Sequence, residues 1–525
     1  MLCRESEDDT EEDMVCKRRR RDGSHHPEPG AYNVHSLQEL PLGTYVEFLT
    51  DVEGNWEYFL HFIHFSKILH WEGEDRGAWG PGILTLRENG ILVFGGDACD
   101  KGPGDIRFSK TLLSLKQRYW DSVFIILGNR DLNKIRFYAE LAPLETGSSF
   151  EQRKSPYGAG VYWVTANMNM KYKDYLKKEN AARDAAGTPL LEEGHLSTLH
   201  WMLDCNMGCQ TTTFQTRKHE LALLQWKSSD EDVVASFRDS VDPKGQDPWM
   251  LDLLRVGNLA VLIGDAMFVH AGLPDDCIGA VPGEPTVGWP KRIPELVGER
   301  VRDWVAELNR FKDREIEAFE KQPQWRLEEG ISRRGGDVLI AYGNPGGFCN
   351  KSVAYHNPFR DGNPHLFAPK VEMALQAAKI KRVFSGHQPH GESPTVVRHP
   401  RTDLLAFTCD TSYSNMAAPK LLNKADNRGD VVTMVRLDRA GVQLEGVLKD
   451  GSKHGCYLHC DAAKDDMPCA LVGRQLTDGS WVKTISSGNA VGALGKGFQV
   501  FVTSLHPLLM RSLLEAEFMC RVDAV

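Results

Sequence analysis

The sequence VFIILGNRDLN, residues 123–133, decides the fold prediction. An apolar run of this kind predicts a buried strand. The run stops abruptly at Gly128, Asn129, Arg130 and Asp131. In an open α/β sheet, ligand sites lie beyond the carboxyl ends of the strands, so these polar residues are candidates for a functional site.

The same order of elements recurs outward from this stretch. Residues 44–51 and 90–97 also predict strands, and residues 55–69 and 106–120 place apolar side chains at helical spacing between them. Alternating strands and helices indicate a parallel sheet with right-handed crossovers. Further along, residues 258–274, 380–391, 403–415 and 429–448 return to strands or hairpins. The expected fold class is therefore α/β (α+β).

Three parts of the chain differ from this pattern. Residues 1–35 combine an acidic block with the basic run 17–21, which predicts a disordered tail or, as a weaker alternative, a nuclear-import patch. Residues 36–450 form the main domain, with insertions at about 140–255, which looks helical, and at about 280–370. Residues 451–525 form a C-terminal extension. The insertions are expected either to wall a substrate cleft or to pack against the core.

Composition narrows the possible classes of protein. With 41% hydrophobic and 26% charged residues, the chain can bury a large core, and a net charge of −10 gives no general attraction to nucleic acid. Neither a signal peptide nor a membrane span is predicted. The twelve cysteines form no compact framework, which indicates reduced thiols and a cytoplasmic, possibly nuclear, protein. The His and Cys residues of 454–469 lack paired CxxC-type hooks, so ordinary thiols are favoured over zinc there.

Five predicted strands end in side chains that can bind metal ions. These are Asp51 and Glu53, Asp97 and Asp100, Asn129, His270, and His387 and His390. Carboxylate, amide and imidazole donors suit two ions of Mn, Fe or Zn. Each residue alone has an ordinary alternative as a helix cap, a turn or a hydrogen-bonded core histidine. Their repeated placement after apolar runs favours the metal site.

The ordered pattern D-x-E-G-N, G-D-x-x-D-K-G, G-N-R-D, V-H-A-G-L, G-H-Q-P-H resembles that of the calcineurin-like metallophosphoesterase superfamily. This superfamily includes protein serine/threonine phosphatases and diadenosine tetraphosphate hydrolases. The resemblance covers about 44–136, 258–274 and 380–413. It implies a four-layered β-sandwich flanked by helices, with a hydroxide held between two metal ions attacking phosphorus.

The resemblance also implies a role for each matched residue. Asp51 and Glu53 would bind the first metal, Asp97 would bridge both metals, and Asn129, His270 and His387 would bind the second. His390 would complete the first site, although two residues separate it from His387 where the family has one. Asp100 would support the ligands from behind, and Lys101 would bind phosphate.

This chain departs from the family at two positions. Glu53 and Arg130 stand where the family has histidine. A carboxylate can replace imidazole as a ligand and favours harder ions. Arginine, which stays protonated, cannot supply a proton to the leaving group, although it can clamp phosphate.

Three interpretations of Arg130 follow. The enzyme could act on good leaving groups, or another group could supply the proton, such as Asp131, Asp100, His356 or His365. Alternatively, the chain could be an impaired pseudophosphatase that binds phosphorylated partners. The favoured prediction is a dinuclear metal-dependent phosphoester hydrolase like the protein serine/threonine phosphatases. Dinucleoside polyphosphate or nucleotide anhydride hydrolysis is the next choice. The expected substrate is a phosphorylated protein or a small phosphoester or anhydride, with no nucleic-acid or membrane partner.

Overall fold

The computed structural model of this chain describes most of the main domain. It describes residues 31–32, 36–142, 170–209, 212–283, 291–292, 300–328, 331–345, 348, 351–360, 363–402, 404–411, 433–448, 451–461, 464–465, 469–475, 481–486 and 498–502. The predicted disordered tail therefore lies almost wholly outside the described residues. Its one described segment, Ala31–Tyr32, is a short strand.

An eight-stranded sheet, here called the first sheet, contains the stretch quoted above. In spatial order its strands are Phe498–Val502, Trp481–Ser486, Lys453–His459, Gly441–Val447, Thr433–Leu437, Tyr45–Leu49, Gly90–Phe94 and Val123–Ile125. The last three strands run parallel to one another, as predicted. Three strands that begin after residue 450 continue this sheet beyond the hairpin of residues 433–447. The sequence pattern predicted the hairpin but not these three strands.

A six-stranded sheet, here called the second sheet, is built from the later motifs. In spatial order its strands are Ala31–Tyr32, Ala260–Ile263, Ala266–Val269, Arg382–Ser385, Leu405–Thr408 and Thr395–Arg398. The strands 266–269 and 382–385 are parallel neighbours, so their carboxyl ends lie side by side. The predicted turn at Gly264 and Asp265 joins the two antiparallel strands 260–263 and 266–269.

The two sheets pack face to face. Phe48 of the first sheet lies 5.6 Å from Phe268 and 6.0 Å from Phe384 of the second sheet, measured between ring centroids. Buried residues of both sheets belong to one hydrophobic cluster. Each inner face thus removes the apolar surface of the other from water.

Helices cover the outer faces. The α-helices are Trp56–Phe65, Asp105–Arg118, Asn129–Leu132, Arg136–Glu140, Tyr172–Ala185, His195–Trp201, Thr213–Leu223, Asp230–Asp239, Trp249–Val256, Arg300–Lys321, Asp337–Tyr342 and Pro369–Ala377. Phe108 packs 5.1 Å from Phe94 on the first sheet. The Asn309 side chain binds the backbone of Ala260 on the second sheet. This four-layered arrangement confirms the predicted fold class.

Shorter elements complete the described fold. The 3-10 helices are Leu37–Glu39, Gly77–Trp79, Asn133–Ile135 and Cys469–Leu471, and Met202–Asn206 is a π-helix. The two-stranded sheets pair Leu69–Glu72 with Ile83–Leu86, Ala280–Val281 with Lys291–Arg292, Arg326–Glu328 with Ile331–Arg333, and Phe359–Arg360 with Asn363–Pro364. Among the described helices, none combines the length and the apolar character that a membrane crossing needs.

Side-chain hydrogen bonds mark where the two helices next to the site begin. The helix Trp56–Phe65 begins after Asn55, whose side-chain oxygen accepts a hydrogen bond from the Tyr58 amide at 3.0 Å. The helix Asp105–Arg118 begins differently, because Glu220 accepts hydrogen bonds from the Ile106 and Arg107 amides, each at 3.0 Å. Glu220 belongs to the helix Thr213–Leu223 of the first insertion, so this insertion supports the loop that carries Asp97 and Asp100.

Candidate metal centre

The carboxyl ends of strands from both sheets converge on one group of side chains. Ligand atoms of Asp97, His270 and His387 lie within 4.8 Å of one another, and so do ligand atoms of Asp51, Glu53 and Asp97. Within the described part of the chain, only these two groups could hold a metal ion. We call Asp97, Asn129, His270 and His387 the histidine set, and Asp51, Glu53 and Asp97 the carboxylate set.

The backbone of the centre is unusual. Seven non-glycine residues of the described chain have a positive φ, and five of them belong to this centre. They are Asp51, Glu53, Asp97, Asp100 and His387, with φ values of 53°, 48°, 58°, 121° and 71°. Such conformations cost about 1–3 kcal/mol each and cluster at functional sites. The clustering indicates that these residues belong to a functional site, where the surrounding structure maintains unfavourable backbone conformations.

His270 is fixed by the backbone of the first sheet. Its Nδ1 lies 2.8 Å from the Gly95 carbonyl oxygen, so Nε2 faces the centre. This Nε2 lies 3.2 Å from Asn129 Oδ1 and 3.3 Å from Asp97 Oδ1. Burial alone would lower the pKa of His270, but Asp97 and Asp51 raise it to about 10. The centre therefore attracts positive charge at the point that Nε2 faces.

His387 offers a lone pair to the same point. Its backbone amide donates to both carboxylate oxygens of Asp51, at 3.1 and 3.0 Å, which orients the residue. Its ring atom Nε2 is buried and has no hydrogen-bond partner among the described residues. Burial and the neighbouring His270 lower the pKa of His387 to about 3, so the ring is neutral. A buried neutral imidazole nitrogen of this kind fits a metal ligand.

Asp131 shapes the loop that carries Asn129. Its carboxylate accepts hydrogen bonds from the amides of Gly128 at 2.8 Å and of Asp97 and Ala98 at 2.9 Å. Burial, together with Asp97, raises the pKa of Asp131 to about 6. Both of its oxygens thus bind backbone amides, which gives Asp131 a positioning role in this geometry.

Arg130 lies among the carboxylates of the centre. Its Nε is 2.8 Å from Glu53 Oε1 and 3.3 Å from Asp97 Oδ2. Its Nη1 donates to the Gly208 carbonyl oxygen at 2.6 Å and lies 3.6 Å from Asp100 Oδ2. Burial would lower the pKa of Arg130, but Glu53 and Asp97 raise it above its usual range. Arg130 is therefore a fixed cation.

Two lysines complete the charge network. Lys101 Nζ lies 2.7 Å from Glu53 Oε2, and Lys134 Nζ lies 2.7 Å from Asp100 Oδ2. Each oxygen of Glu53 consequently faces a cation. The supporting role that the resemblance implies for Asp100 stays a prediction, and Lys134 was not anticipated because no motif marks it.

His390 lies apart from the predicted ligands. It is in neither the histidine set nor the carboxylate set. Its ring stacks on Phe359, with 4.6 Å between the centroids, and its backbone oxygen accepts a hydrogen bond from Lys483. The structure thus does not bring His390 to the centre. In the sequence, two residues separate His387 and His390 where the resembled family has one.

The second insertion contributes a residue that sequence reasoning missed. The Tyr355 ring lies 4.9 Å from the His387 ring, in an edge-on arrangement. The segment reaches the centre because the Ala271 amide donates to the Val353 carbonyl oxygen at 2.7 Å. Burial raises the pKa of the phenol, Arg130 lowers it and Asp97 raises it, so the hydroxyl lies within electrostatic reach of the centre. The only sequence signal for this residue was its position next to His356, a histidine already considered as a proton source.

The other suggested proton sources are arranged differently. His356 packs near Gly272, and burial lowers the pKa of His356 to about 4, which leaves it neutral at pH 7. The His365 amide donates to the Pro358 carbonyl oxygen at 3.2 Å. Asp100 Oδ2 is bound by Lys134. Their use as acids remains a prediction.

The histidine- and cysteine-containing segment 454–469 has ordinary contacts in the described residues. The two ring nitrogens of His454 face the hydroxyls of Thr433 and Thr484, at 3.2 and 3.3 Å. The Cys456 thiol faces the Cys469 carbonyl oxygen at 3.9 Å.

Comparisons with known proteins give weak likenesses. No protein-family model matches the chain, and no curated protein matches it. Among solved structures, a cold-active protein-tyrosine phosphatase of the psychrophile Shewanella sp. is 13% identical, with 82% of this chain and 87% of that chain covered and a TM-score of 0.35. A protein serine/threonine phosphatase from Saccharomyces cerevisiae with similarity to human phosphatase PP5 is 12% identical, with 75% and 72% covered and a TM-score of 0.31. At these TM-scores we argue function from the side chains alone.

Proposed function

We propose that this chain is a metal-dependent phosphoester hydrolase, with chemistry like that of the protein serine/threonine phosphatases. The observation that carries the proposal is the histidine set. Its nitrogen and oxygen donors come from four separate segments of chain and meet at one buried point. A ring nitrogen of His387 lies within 4.8 Å of ligand atoms of Asp97 and His270, and its Nε2 is buried without a hydrogen-bond partner among the described residues.

The donor set suits Mn, Fe or Zn, which accept imidazole together with carboxylate and amide oxygens. A bound ion would supply Lewis acidity toward a phosphoryl oxygen and toward an attacking water. The chain itself orients the donors. The Gly95 carbonyl oxygen holds the His270 ring through Nδ1, and the Asp51 carboxylate accepts a hydrogen bond from the backbone amide of His387. The two metal ions that the sequence predicts remain a proposal, and their number is considered in the next subsection.

The cations of the centre support phosphate chemistry. Lys101 is buried and Arg130 is partly buried next to the donors, and carboxylates fix both cations. Positive groups that are fixed in advance stabilise the charge that develops on phosphoryl oxygens, because they need no reorganisation during the reaction. We propose that they face the substrate phosphate on the side away from the histidine set.

A second substrate class is favoured by Arg130. An arginine at this position holds its proton and cannot donate it to a leaving oxygen. Leaving groups that depart as stable anions, such as aryl oxides and the phosphates of anhydrides, need less protonation than alkyl oxides. Dinucleoside polyphosphates and other nucleotide anhydrides are therefore the alternative substrates of the same site.

The test combines metal analysis with hydrolysis by the full chain. Para-nitrophenyl phosphate, a dinucleoside polyphosphate and a phosphoserine peptide would be assayed with and without added manganese. We expect manganese-dependent hydrolysis that is lost in Asp97→Asn and kept in Asp247→Asn, which removes an exposed carboxylate that pairs with Lys110. Bound metal without hydrolysis of any of the three would favour a protein that binds phosphorylated partners, and no bound metal would contradict the proposal.

A further inference from the structure

We infer that the centre binds one metal ion, at the histidine set, and that the guanidinium of Arg130 with the ammonium of Lys101 replaces a second ion beside Glu53 and Asp97. This inference rests on the proposed metal centre. It departs from the two ions that the sequence predicts, because the two donor sets differ in how their atoms are already bound.

Cations face three oxygens of the carboxylate set. Glu53 Oε1 lies 2.8 Å from Arg130 Nε, and Glu53 Oε2 lies 2.7 Å from Lys101 Nζ. Asp97 Oδ2 also faces Arg130, at 3.3 Å. A metal ion at this position would have to compete for the same oxygens with the buried ammonium of Lys101 and the partly buried guanidinium of Arg130. The repulsion between like charges is strong where water is excluded.

Arg130 is held in this position from several directions. Its backbone amide donates to Asp97 Oδ1 at 3.0 Å, which fixes the start of the side chain. The far end donates to the Gly208 carbonyl oxygen of the first insertion, at 2.6 Å. Neighbouring Asn133 binds the Met207 carbonyl oxygen at 3.3 Å, so the same segment of the insertion is tied down twice. The guanidinium is thus built into the fold rather than free to swing away.

The remaining ligands on that side are also engaged. Asp51 Oδ2 accepts a hydrogen bond from the Thr50 hydroxyl at 2.5 Å, and both Asp51 oxygens face the His387 amide. His390, the imidazole that the resemblance assigns to the first metal, stacks on Phe359 instead. Glu53, one of the ligands assigned to the first metal, therefore has other partners, and His390 is not among the residues of the carboxylate set.

The histidine set shows the opposite arrangement. Its ring atom His387 Nε2 has no hydrogen-bond partner among the described residues, and His270 Nε2 faces Asn129 Oδ1 at 3.2 Å. Asp97 Oδ1 lies 3.3 Å from the same His270 Nε2 and brings a further donor atom to this group. The geometry thus favours one metal ion and two organic cations.

Metal stoichiometry and electron paramagnetic resonance of the manganese-loaded full chain test the inference. The wild-type protein should bind one equivalent of Mn²⁺ after dialysis and give the spectrum of an isolated ion. Glu53→His/Arg130→His, which puts the histidines of the resembled family at both positions, should bind a second equivalent and give an exchange-coupled spectrum. Arg130→Lys keeps the positive charge and should stay at one equivalent, whereas Asp97→Asn should bind none.

Each outcome separates this inference from the proposed function. Two equivalents with an exchange-coupled spectrum in the wild-type protein would overturn the inference, even if hydrolysis is observed. One equivalent without hydrolysis of any phosphate would leave the inference standing and contradict the proposed function. A folded double variant that stays at one equivalent would also overturn the inference. If the double variant does not fold, the metal stoichiometry of the wild-type protein alone tests the inference.

Discussion

Glu53 and Arg130, the two residues at which this chain departs from the family it resembles, form a salt bridge with 2.8 Å between Oε1 and Nε. Each departure changes the charge of the site. Glu53 brings an additional negative charge and Arg130 brings a buried positive charge. Together they neutralise each other, with Lys101 on the second oxygen of Glu53. The two departures therefore act as one change in the chemistry of the centre.

This pairing predicts a large stability effect when one partner is removed. In Glu53→Gln, Arg130 and Lys101 would remain close together without their shared carboxylate. Removing one member of a buried ion pair costs about 3–5 kcal/mol. We expect the free energy of unfolding, measured by urea denaturation of the metal-free protein, to fall by about this amount. Asp247→Asn, at an exposed pair, should change it by less than about 1 kcal/mol, and an equal loss in both variants would contradict the pairing.

Tyr355 is predicted to contribute its hydroxyl to turnover and its ring to the position of His387. Tyr355→Phe keeps the ring that lies 4.9 Å from His387, so metal content should be unchanged. Loss of a hydrogen bond to a charged substrate would lower kcat by about tenfold, which corresponds to about 1.4 kcal/mol. Tyr355→Ala should lower metal affinity as well. Unchanged kcat in the Phe variant, measured with para-nitrophenyl phosphate, would argue against a role for the hydroxyl.

Glu220 is predicted to connect the first insertion to the centre. It accepts from the Ile106 and Arg107 amides, and Arg217 on the same helix pairs with Asp105 at 2.8 Å. Asp105 in turn accepts a hydrogen bond from the Asp100 amide at 3.0 Å. Glu220→Ala leaves buried donors without an acceptor and should cost about 2–4 kcal/mol.

The effect of Glu220 on the centre can be separated from its effect on stability. In Glu220→Ala, metal affinity, measured by calorimetric titration at a temperature where the variant is folded, should also fall. Glu220→Gln keeps one side-chain acceptor and should give a smaller loss of stability and affinity. Wild-type metal affinity in the Ala variant would show that the insertion only packs against the core.

His454 is predicted to make stability depend on pH. Burial, with a smaller effect of Lys483, lowers the pKa of His454 from 6.5 to about 4 in the folded protein. The unfolded chain therefore binds a proton at higher pH than the folded chain. This contribution is fully present above pH 6.5 and is lost as the pH falls from about 6.5 to about 4, by up to about 3 kcal/mol in total.

Chemical denaturation at several pH values between 4 and 7 would measure this dependence. In His454→Gln, which keeps hydrogen-bonding capacity toward Thr433 and Thr484, the stability should change less steeply over the same range. The same slope in both proteins would assign the pH dependence to other groups.

Much of the candidate site could be predicted because its donors follow apolar runs directly. Asp97 comes three residues after the strand Gly90–Phe94, and His270 follows Ala266–Val269 without a break. A strand delivers the residue at its end to the sheet edge whatever the rest of the chain does. The parallel order of three strands in the first sheet also follows from local periodicity, since strands joined by helices run in the same direction.

Other parts could not be predicted because they depend on contacts between distant segments. Tyr355 reaches His387 through backbone bonds made by Val353, and Glu220 caps a helix more than a hundred residues earlier in the chain. The strand Lys453–His459 joins the first sheet through pairing with Gly441–Val447, although its own sequence gave little signal. None of these contacts leaves a periodic pattern in the sequence.

By itself, the sequence determined which residue types end the strands, and hence that oxygen and nitrogen donors meet at one edge of a sandwich. Only the tertiary structure decided how those donors are used. It binds Glu53 between Arg130 and Lys101, turns His390 onto Phe359, and leaves His387 Nε2 without a hydrogen-bond partner among the described residues. The physical reason is that ion pairing and ring stacking depend on distances of a few ångströms between segments, which residue order alone does not specify.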